Sequence, residues 1–497
     1  MKNYQNQAIA PEKLAPSQPE SPALIAQTTG VGSWQVLATS APILPIHAAL
    51  LRTNKVLFVA GSGNDANNVS ETRGAAVWDI NTGTYTRPLT PTNTAGLPFD
   101  LFCGGHSFRS DGRLMFAGGT LQYDPFKGLR ESFFFDPATD QWVSAPLMNF
   151  GRWYPTLLTL GDGKIFAVSG LDINGNLARN QEIFARATGW LTFSQQTSPF
   201  PLYAHLVLLS SGKIFYSGGY MGSSEGVTPR ILTLPKTLSQ PIVEQPVTGL
   251  EAAESGDQAA TILLPPAQDQ KVMIVGGGGN TTKRVNIIDF KAATPTYTPA
   301  AYLNYARMHH SAVILPDRTV FVCNGSLMNE DVQKSMLPAE IYNPATNTWT
   351  VAAAQSVPRV YHSVALLLPD GRVLTAGGNP TRGSNELRLE IYSPPYMSQT
   401  RPVIASVPQR AGYNRTIQIQ TNQASSIKWV SLVRPSANTH CYDTEQRLVD
   451  LPIVARTATS LSVTTPATGN LAPQGWYMVF ISDTNNIPSV AKWMQLF

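Results

Sequence analysis

One phrase of hydrophobic and polar residues recurs seven times along this chain. Each copy has a short apolar run, a polar turn that usually contains Asp-Gly or Ser-Gly, a second apolar run and a break that contains glycine. Three of the copies are SFRSDGRLMFAGG, YPTLLTLGDGKIFAVSG and YHSVALLLPDGRVLTAGG. Two apolar runs around a tight polar turn predict a β-hairpin. The chain therefore predicts seven similar hairpins, and we find no long amphipathic helix.

The hairpins recur at intervals of 48 to 58 residues, counted between their final glycines. This spacing is near the ~50 residues of a kelch repeat, which forms one four-stranded blade of a β-propeller. Most copies continue into two further strands, as in SFFFDPATDQWVSA. The segment GSWQVL around Trp34 resembles a final strand but precedes the first hairpin. We therefore expect it to complete the seventh blade and close the ring, which removes exposed sheet edges.

The rhythm of the pattern changes after Tyr392. The Pro-rich SPPYMSQTRP is followed by short strands such as SIKWVSLVRP and GWYMVFISD, which predict an Ig-like β-sandwich. The predicted fold class is thus all-β, with a seven-bladed kelch-like β-propeller over residues 31–395 and a small Ig-like β-sandwich over residues 396–497. Residues 1–30 are polar and Pro-rich, and we expect them to form a disordered N-terminal arm.

Composition excludes some classes of partner. The chain has 36 Lys+Arg against 32 Asp+Glu and no basic stripe among aromatic residues, so we expect no nucleic-acid partner. No apolar run approaches the ~20 residues of a membrane-spanning helix, so we expect no membrane partner either. The three cysteines are too few and too far apart for a disulfide framework. The N-terminal arm lacks the apolar stretch of a secretory signal.

Candidate chemical residues occupy equivalent positions in three hairpins. Counting back ten positions from the basic residue after the turn gives Cys103, Tyr154 and His362, and Tyr361 adjoins His362. Taken singly, a cysteine among strands is usually a small buried apolar residue, and a tyrosine at a strand start usually packs there. In a propeller, however, equivalent positions lie at one height around the axis. Because imidazole and phenolate suit copper, their coincidence favours a shared copper site, and the absence of HExxH or paired CxxC motifs argues against zinc.

These phrases resemble the galactose oxidase and glyoxal oxidase family of copper radical oxidases over nearly the whole chain. DLFCGGHS places the cysteine of the family's thioether at Cys103, and GRWYPT places its tyrosine partner at Tyr154. VPRVYHSVALLLPDGRV matches the axial tyrosine and the first histidine ligand at Tyr361 and His362. THCYDTEQR matches the second histidine ligand at His440. All five signature positions of the family are filled.

The resemblance implies a cofactor and a reaction. One copper ion would be bound by Tyr154, Tyr361, His362 and His440, and a Cys103–Tyr154 thioether would carry a radical. Such a site oxidises primary alcohols or hydrated aldehydes and reduces oxygen to hydrogen peroxide. Tyr361 would be both the axial ligand and the base that takes the substrate proton. The catalytic residues implied are therefore Cys103, Tyr154 and Tyr361.

Two departures from galactose oxidase bear on the substrate. The position of its stacking tryptophan holds Asp172, although Trp153 could substitute, and its carbohydrate-binding front domain has no counterpart in this sequence. GRWYPT is also closer to the glyoxal oxidases. We therefore expect small aldehydes, oxidised as hydrates, or simple primary alcohols as substrates, with oxygen as the second one. The resemblance also implies a secreted or periplasmic protein, and we expect a monomer.

Two other classes of function remain open from the residues alone. The first is a non-catalytic kelch propeller that binds a protein or a glycan, which would take up no copper and form no Cys103–Tyr154 link. The second is a hydrolase or lyase propeller, which needs a carboxylate cluster or a nucleophile beside a base. We identify no such set in the sequence.

Overall fold

The computed structural model of the protein describes residues 30–222, 225–328 and 330–497. Residues 1–29 of the predicted arm lie outside the described residues. Strands dominate the described chain, and its only helices are six short 3-10 turns, so the all-β prediction is confirmed. None of these turns is long or apolar enough to cross a membrane. The turns are Ala66–Asn68, Ala253–Gly256, Ala267–Asp269, Val332–Lys334, Pro395–Ser398 and Ala424–Ser426.

Seven antiparallel sheets contain the seven predicted hairpins, one hairpin in each sheet. Each hairpin is joined by two further strands to give four, and in the seventh sheet one of the two is the N-terminal strand Ser33–Val36. The first sheet has His47–Leu51, Lys55–Val59, Ala75–Asp79 and Tyr85–Thr86; the second has Gly105–Phe108, Leu114–Ala117, Ser132–Asp136 and Gln141–Ser144. The third has Thr156–Thr159, Ile165–Val168, Glu182–Ala185 and Gly189–Thr192; the fourth has Leu206–Leu208, Ile214–Tyr216, Arg230–Thr233 and Val243–Pro246. The fifth has Ala260–Leu263, Lys271–Val275, Val285–Asp289 and Tyr297–Pro299; the sixth has Ser311–Ile314, Val320–Cys323, Pro338–Asn343 and Thr348–Ala354. The seventh has Ser363–Leu367, Val373–Gly377, Glu390–Ser393 and Ser33–Val36. A separate small hairpin of Thr120–Gln122 and Lys127–Gly128 lies, in sequence, between the second and third strands of the second sheet.

The seventh sheet joins the two ends of this part of the chain. Ser33–Val36 pairs antiparallel with Glu390–Ser393, and Trp34 lies opposite Tyr392. The predicted pairing of the GSWQVL strand with the seventh hairpin is therefore confirmed. The closed ring and the description of each sheet as a propeller blade stay predictions.

Burial explains the apolar runs of the hairpins. The inner strands are buried along their whole length, as in Leu114–Ala117, whereas an outer strand such as Gln141–Ser144 is mostly exposed. A strand buried on both faces needs a continuous apolar run rather than alternation. The turns are fixed by an Asp side chain that accepts a hydrogen bond from the amide two residues later, as Asp162 does from Lys164. Gly163 follows that Asp with a φ of 81°, a conformation that glycine adopts without strain.

The first strands of neighbouring sheets lie against one another. Gly105–Phe108 contacts Thr156–Thr159, and His47–Leu51 contacts Ser363–Leu367. The residues immediately before these strands are therefore brought to one region, although they are far apart in sequence.

The C-terminal part of the chain forms a five-stranded sheet and a three-stranded sheet, and it also extends the first sheet. The five-stranded sheet has Arg410–Ala411, Lys492–Leu496, Gly475–Asp483, Ile427–Val433 and Leu448–Asp450; the three-stranded sheet has Thr416–Gln420, Ser460–Thr464 and Ile453–Arg456. Ala437–Thr439 pairs with His47–Leu51, and Tyr442–Asp443 pairs with Ala437–Thr439. His440 thus lies in the turn between two strands that are attached to the first sheet.

A buried carboxylate connects this C-terminal segment to the second sheet. Glu445 accepts hydrogen bonds from the Ser107 hydroxyl and, at 3.1 Å, from the Phe108 amide. Its other oxygen is paired with the Arg434 guanidinium, and both side chains are almost completely buried. These contacts fix the position of the segment that carries His440.

Candidate metal centre

The five residues singled out from the sequence meet in one buried cluster. Cys103, Tyr154 and His362 each lie one or two residues before the first strand of the second, third and seventh sheets. Four of the five side chains are at most 4 % exposed, and only Tyr361 is partly accessible. Tyr361 therefore marks the side of the cluster that lies nearest to solvent.

Short contacts join the cluster. The Tyr154 and Tyr361 hydroxyls are hydrogen-bonded to each other, and His440 Nε2 lies 3.1 Å from the Tyr154 hydroxyl. Cys103 Sγ lies 4.0 Å from His440 Nε2. The ligand atoms of Cys103, His362 and His440 all lie within 4.8 Å of one another. Polar atoms of two imidazoles, two phenols and a thiol thus lie close enough together to bind one metal ion.

Hydrogen bonds set the tautomers of both imidazoles. His362 Nδ1 lies 3.2 Å from Asn379 Oδ1, and the Asn379 amide nitrogen donates to the Thr381 carbonyl, so the amide oxygen faces the ring. An oxygen that only accepts requires the proton on Nδ1. His440 Nδ1 lies 2.6 Å from the Thr439 hydroxyl, which donates to the Ile46 carbonyl. Nε2 of both rings is therefore the lone-pair nitrogen, and metal-bound histidines commonly have such a partner on the other nitrogen.

The backbone before the strands is held in an unusual conformation. Cys103, Tyr154 and His362 have φ values of 61°, 65° and 60°. Tyr203 and His309 occupy the equivalent positions of the fourth and sixth sheets, with φ values of 44° and 56°. The left-handed region costs non-glycine residues of order 1–3 kcal/mol each and is concentrated at functional sites. The repeated conformation points these side chains to the same end of the inner strands.

Burial controls the protonation of the cluster. It lowers the pKa of His362 to about 3, and it lowers the pKa of His440 well below the usual range, helped by the neighbouring His362. Both imidazoles are therefore neutral at pH 7, as metal ligands must be. Burial, followed by the nearby Cys103, raises the pKa of Tyr154 and of Tyr361 well above 10. Without a cation both phenols stay protonated, so a bound metal is needed to stabilise a phenolate there.

Trp153 provides the aromatic cover that Asp172 cannot. Its indole stacks on the Tyr154 ring with centroids 3.8 Å apart and planes 11° apart, and Phe126 stacks on the other face of the indole at 4.2 Å. Asp172 instead accepts hydrogen bonds from the amides of Asn174 and Asn176 in a turn. The structure therefore agrees with the alternative named from the sequence, in which Trp153 takes the place of the stacking tryptophan.

Sequence reasoning missed two further residues at the cluster. The Tyr203 ring lies 4.4 Å from Tyr154 and 4.7 Å from His440, and its hydroxyl donates to the Gly104 carbonyl at 2.7 Å. The His309 ring lies 5.1 Å from Tyr361. Counting back ten positions from the hairpin residues Lys213 and Thr319 gives these two residues, so the same spacing could have found them.

The donor set fits copper. His362 Nε2 is buried and has no hydrogen-bond partner among the described residues, which leaves its lone pair available for a metal. Two imidazoles with two phenols are ligands that suit copper. The three cysteines are all free and buried, so Cys103 is not used in a disulfide.

Comparison with known proteins identifies the class of fold. The structure superposes on a fungal alcohol oxidase solved in complex with copper, with a TM-score of 0.79 and 23% sequence identity over 94% of this chain and 99% of that one. The fold is therefore that of this oxidase. Residues 264–396 match the family model named glyoxal oxidase N-terminus, and residues 401–496 match the galactose oxidase-like early set domain.

Two curated relatives extend the similarity to most of the chain. Galactose oxidase from Gibberella zeae is 25% identical over 93% of this chain and 70% of that protein. The aldehyde oxidase GLOX from Vitis pseudoreticulata is 24% identical over 95% of this chain and 99% of that protein. The resemblance inferred from the sequence is thus confirmed: the chain is similar to the galactose oxidase and glyoxal oxidase family.

Proposed function

We propose that this protein is a copper radical oxidase, which oxidises small aldehydes as hydrates, or primary alcohols, and reduces oxygen to hydrogen peroxide. Its relatives are named as oxidases of such substrates. One observation carries the proposal: the Tyr154 and Tyr361 hydroxyls and Nε2 of His440 converge in a buried cluster, and His362 offers a buried Nε2 without a partner. We assign one copper ion to Tyr154, Tyr361, His362 and His440.

Cys103 and Tyr154 form the second part of the proposed cofactor. Cys103 is completely buried, which raises the pKa of its thiol, and its carbonyl accepts a hydrogen bond from the Tyr154 amide at 2.9 Å. A thioether between them replaces the S–H bond of Cys103 and one ring C–H bond of Tyr154 by a C–S bond. The two protons and two electrons released would pass to oxygen and form hydrogen peroxide.

Each side chain has a distinct role in the proposed reaction. Copper would accept one electron from the substrate and would offer an open coordination position for the substrate oxygen. The oxidised, radical form of Tyr154 would accept the second electron, because the oxidation of an alcohol to an aldehyde removes two from the substrate. Tyr361, once a bound cation has displaced its own hydroxyl proton, would take the substrate hydroxyl proton, since Tyr361 is the one partly exposed residue of the cluster. Trp153 excludes water from one face of Tyr154.

The architecture that supports this site is also part of the proposal. We propose that the seven sheets are the blades of a closed, kelch-like propeller over residues 31–395, and that residues 396–497 are an Ig-like sandwich that supplies His440. Contacts between the first strands of neighbouring sheets support the ring. The non-catalytic alternative does not account for the two imidazoles with oriented Nε2 atoms beside two phenols.

Intact mass and peptide mapping test the proposal. Loading of the purified protein with copper in air should remove two hydrogen atoms and yield one cross-linked peptide pair that contains Cys103 and Tyr154. Cys103→Ser should abolish the link, whereas Cys441→Ser, which alters another buried cysteine, should leave it intact. If Cys103 stayed alkylatable in the fully copper-loaded protein, the proposed cofactor would be wrong.

A further inference from the structure

A row of aromatic rings leads from the buried Tyr154 towards the surface. Trp153 stacks on Tyr154 at 3.8 Å, Phe126 stacks on Trp153 at 4.2 Å, and Tyr123 lies 5.1 Å from Phe126. Tyr154 is 4 % exposed, whereas Tyr123 is half-buried. The row therefore joins a side chain that solvent cannot touch to one that it can.

Tyr123 has a proton acceptor within reach. Its hydroxyl lies 2.5 Å from the Ser62 hydroxyl, and the Ser62 amide donates to Asp100 Oδ1 at 2.8 Å. Asp100 is 8 % exposed, and its Oδ2 has no hydrogen-bond partner within the described residues. Burial raises the pKa of this carboxyl to about 6, and the nearby Ser62 hydroxyl and amide act in the opposite direction. A phenol that loses an electron becomes strongly acidic, and a nearby carboxylate that can accept a proton makes that loss easier.

A positive charge covers the outer end of the row. The Arg382 guanidinium lies 5.3 Å from the Tyr123 ring centre and 5.9 Å from that of Phe126, and it is paired with Asp124 at 2.9 Å. Its side chain is one-third exposed. Because the Asp124 carboxylate balances this charge, a reagent of either sign meets an ordered, solvent-accessible ion pair at the outer end of the row.

We propose that Tyr123 is the surface end of an electron-transfer route through Phe126 and Trp153 to Tyr154, used by an outer-sphere one-electron oxidant. The proposal rests on the proposed function, in which Tyr154 must lose one electron before turnover. The route explains how a reagent that cannot reach Tyr154 can still oxidise it. Tyr203, which is 3 % exposed and also adjoins Tyr154, has no such connection to the surface among its ring contacts.

The electrons and protons balance in two steps. The oxidant gains one electron from Tyr123, whose hydroxyl proton passes through Ser62 to Asp100. Tyr154, deprotonated as a metal ligand must be, then gives one electron through Trp153, and Tyr123 recovers both its electron and its proton. The net change is one electron from Tyr154 to the oxidant, and no bond is broken.

The test is the rate at which ferricyanide produces the tyrosyl radical in copper-loaded, cross-linked protein, followed by stopped-flow absorbance and confirmed by EPR. Tyr123→Phe should slow radical formation by about tenfold, which corresponds to about 1.4 kcal/mol in the barrier. Ser62→Ala should also slow it, because the proton path is cut. Copper affinity, the yield of radical and turnover of the fully oxidised enzyme should not change.

Tyr302→Phe is the matched control, since it removes another accessible phenol that is bonded to a carboxylate but lies outside the row, and it should leave the rate of radical formation unchanged. Equal rates in wild type and Tyr123→Phe would overturn the route while the proposed function stands. If wild-type protein with bound copper and the cross-link gave no radical with ferricyanide, the proposed function would fail and the route with it.

Discussion

The indole of Trp153 lies flat on the ring of Tyr154, its own neighbour in the chain, with centroids 3.8 Å apart. Adjacent residues of a strand point to opposite faces, so this contact needs a break in the strand geometry. The break is the left-handed backbone of Tyr154, with a φ of 65°. The conformation that places Tyr154 in the buried cluster therefore also brings its aromatic cover.

Removal of this cover should destabilise the radical on Tyr154. We expect Trp153→Ala to shorten the lifetime of the radical several-fold, because a stacked aromatic pair contributes about 0.5–1.5 kcal/mol and the indole excludes water. EPR decay after oxidation in the absence of substrate measures the lifetime. Trp190→Phe, a change at a buried tryptophan of the third sheet, is the control and should have no effect. An unchanged lifetime in Trp153→Ala would show that the indole does not protect the radical.

The partners of the two imidazoles should determine copper affinity. Asn379→Leu removes the acceptor for His362 Nδ1–H, and Thr439→Val removes that for His440. Loss of such a partner typically costs about 10–100-fold in metal affinity, which we expect for each variant. Competition with a chelator measures the affinity. Asn64→Ala is the control, because it removes a second donor to the Asn379 oxygen and leaves the acceptor for His362 in place. The copper affinity of this variant should stay close to that of wild type.

The substrate preference should favour small molecules. Asp172 at the stacking position no longer argues against a sugar ring, because Trp153 stacks on Tyr154. The proposal now rests on the glyoxal-oxidase-like GRWYPT phrase and on the similarity to an aldehyde oxidase. Peroxide release should be faster with glyoxal, methylglyoxal, glycerol or benzyl alcohol than with galactose. A clear preference for galactose would refute the substrate class and leave the copper assignment standing.

The metal-free protein should lose stability in mild acid. Burial lowers the pKa of all seven histidines, for example to about 4 for His106 and about 3 for His205. In the unfolded chain a histidine has a pKa of about 6.5, so each of these residues contributes its full stabilisation only above that pH. As the pH falls from about 6.5 towards the pKa of the folded state, this stabilisation is lost at about 1.4 kcal/mol per pH unit.

Desolvation raises the pKa of five carboxyls, which oppose this trend because they take up protons in the folded state first. The seven imidazoles outnumber them, so we expect a lower urea midpoint at pH 5 than at pH 7. A midpoint that is constant or higher at pH 5 would contradict this balance.

The Glu445–Arg434 pair should be essential for the attachment of the His440 segment. Removal of one partner of a buried ion pair costs about 3–5 kcal/mol, and Glu445→Ala also leaves the Phe108 amide without its acceptor. We expect a large decrease in the urea midpoint and weaker copper binding. Lys291→Ala, which breaks an exposed pair with Asp269, should change stability by at most about 0.5 kcal/mol. Similar midpoints for the two variants would show that Glu445 does not attach the segment.

The C-terminal strands also limit one experiment that the sequence suggests. Truncation after residue 395 would appear to test whether His440 binds copper. Because Ala437–Thr439 pairs with His47–Leu51, that truncation would remove two strands of the first sheet together with the ligand. His440→Ala is the cleaner change, and it should weaken copper binding while the sheets stay intact.

The repeated hairpins, their turns and three members of the site follow from sequence alone. Seven similar phrases determine seven sheets, because each hairpin forms from local contacts and a turn that its Asp and Gly residues specify. The ten-residue spacing locates Cys103, Tyr154 and His362 for the same reason, since it counts positions within one hairpin. Tyr361 follows as the neighbour of His362, whereas His440 came only from a family resemblance.

Only the tertiary structure decides how these residues meet. The partners Tyr154 and Tyr361 are separated by 207 positions, and His440 reaches them from a turn between strands that extend the first sheet. The stacking of Trp153 in place of Asp172 depends on a left-handed φ that no side-chain pattern encodes. The physical reason is the same throughout: hairpins and turns are set by neighbouring residues, whereas distances across sheets are set by the packing of seven inner strands.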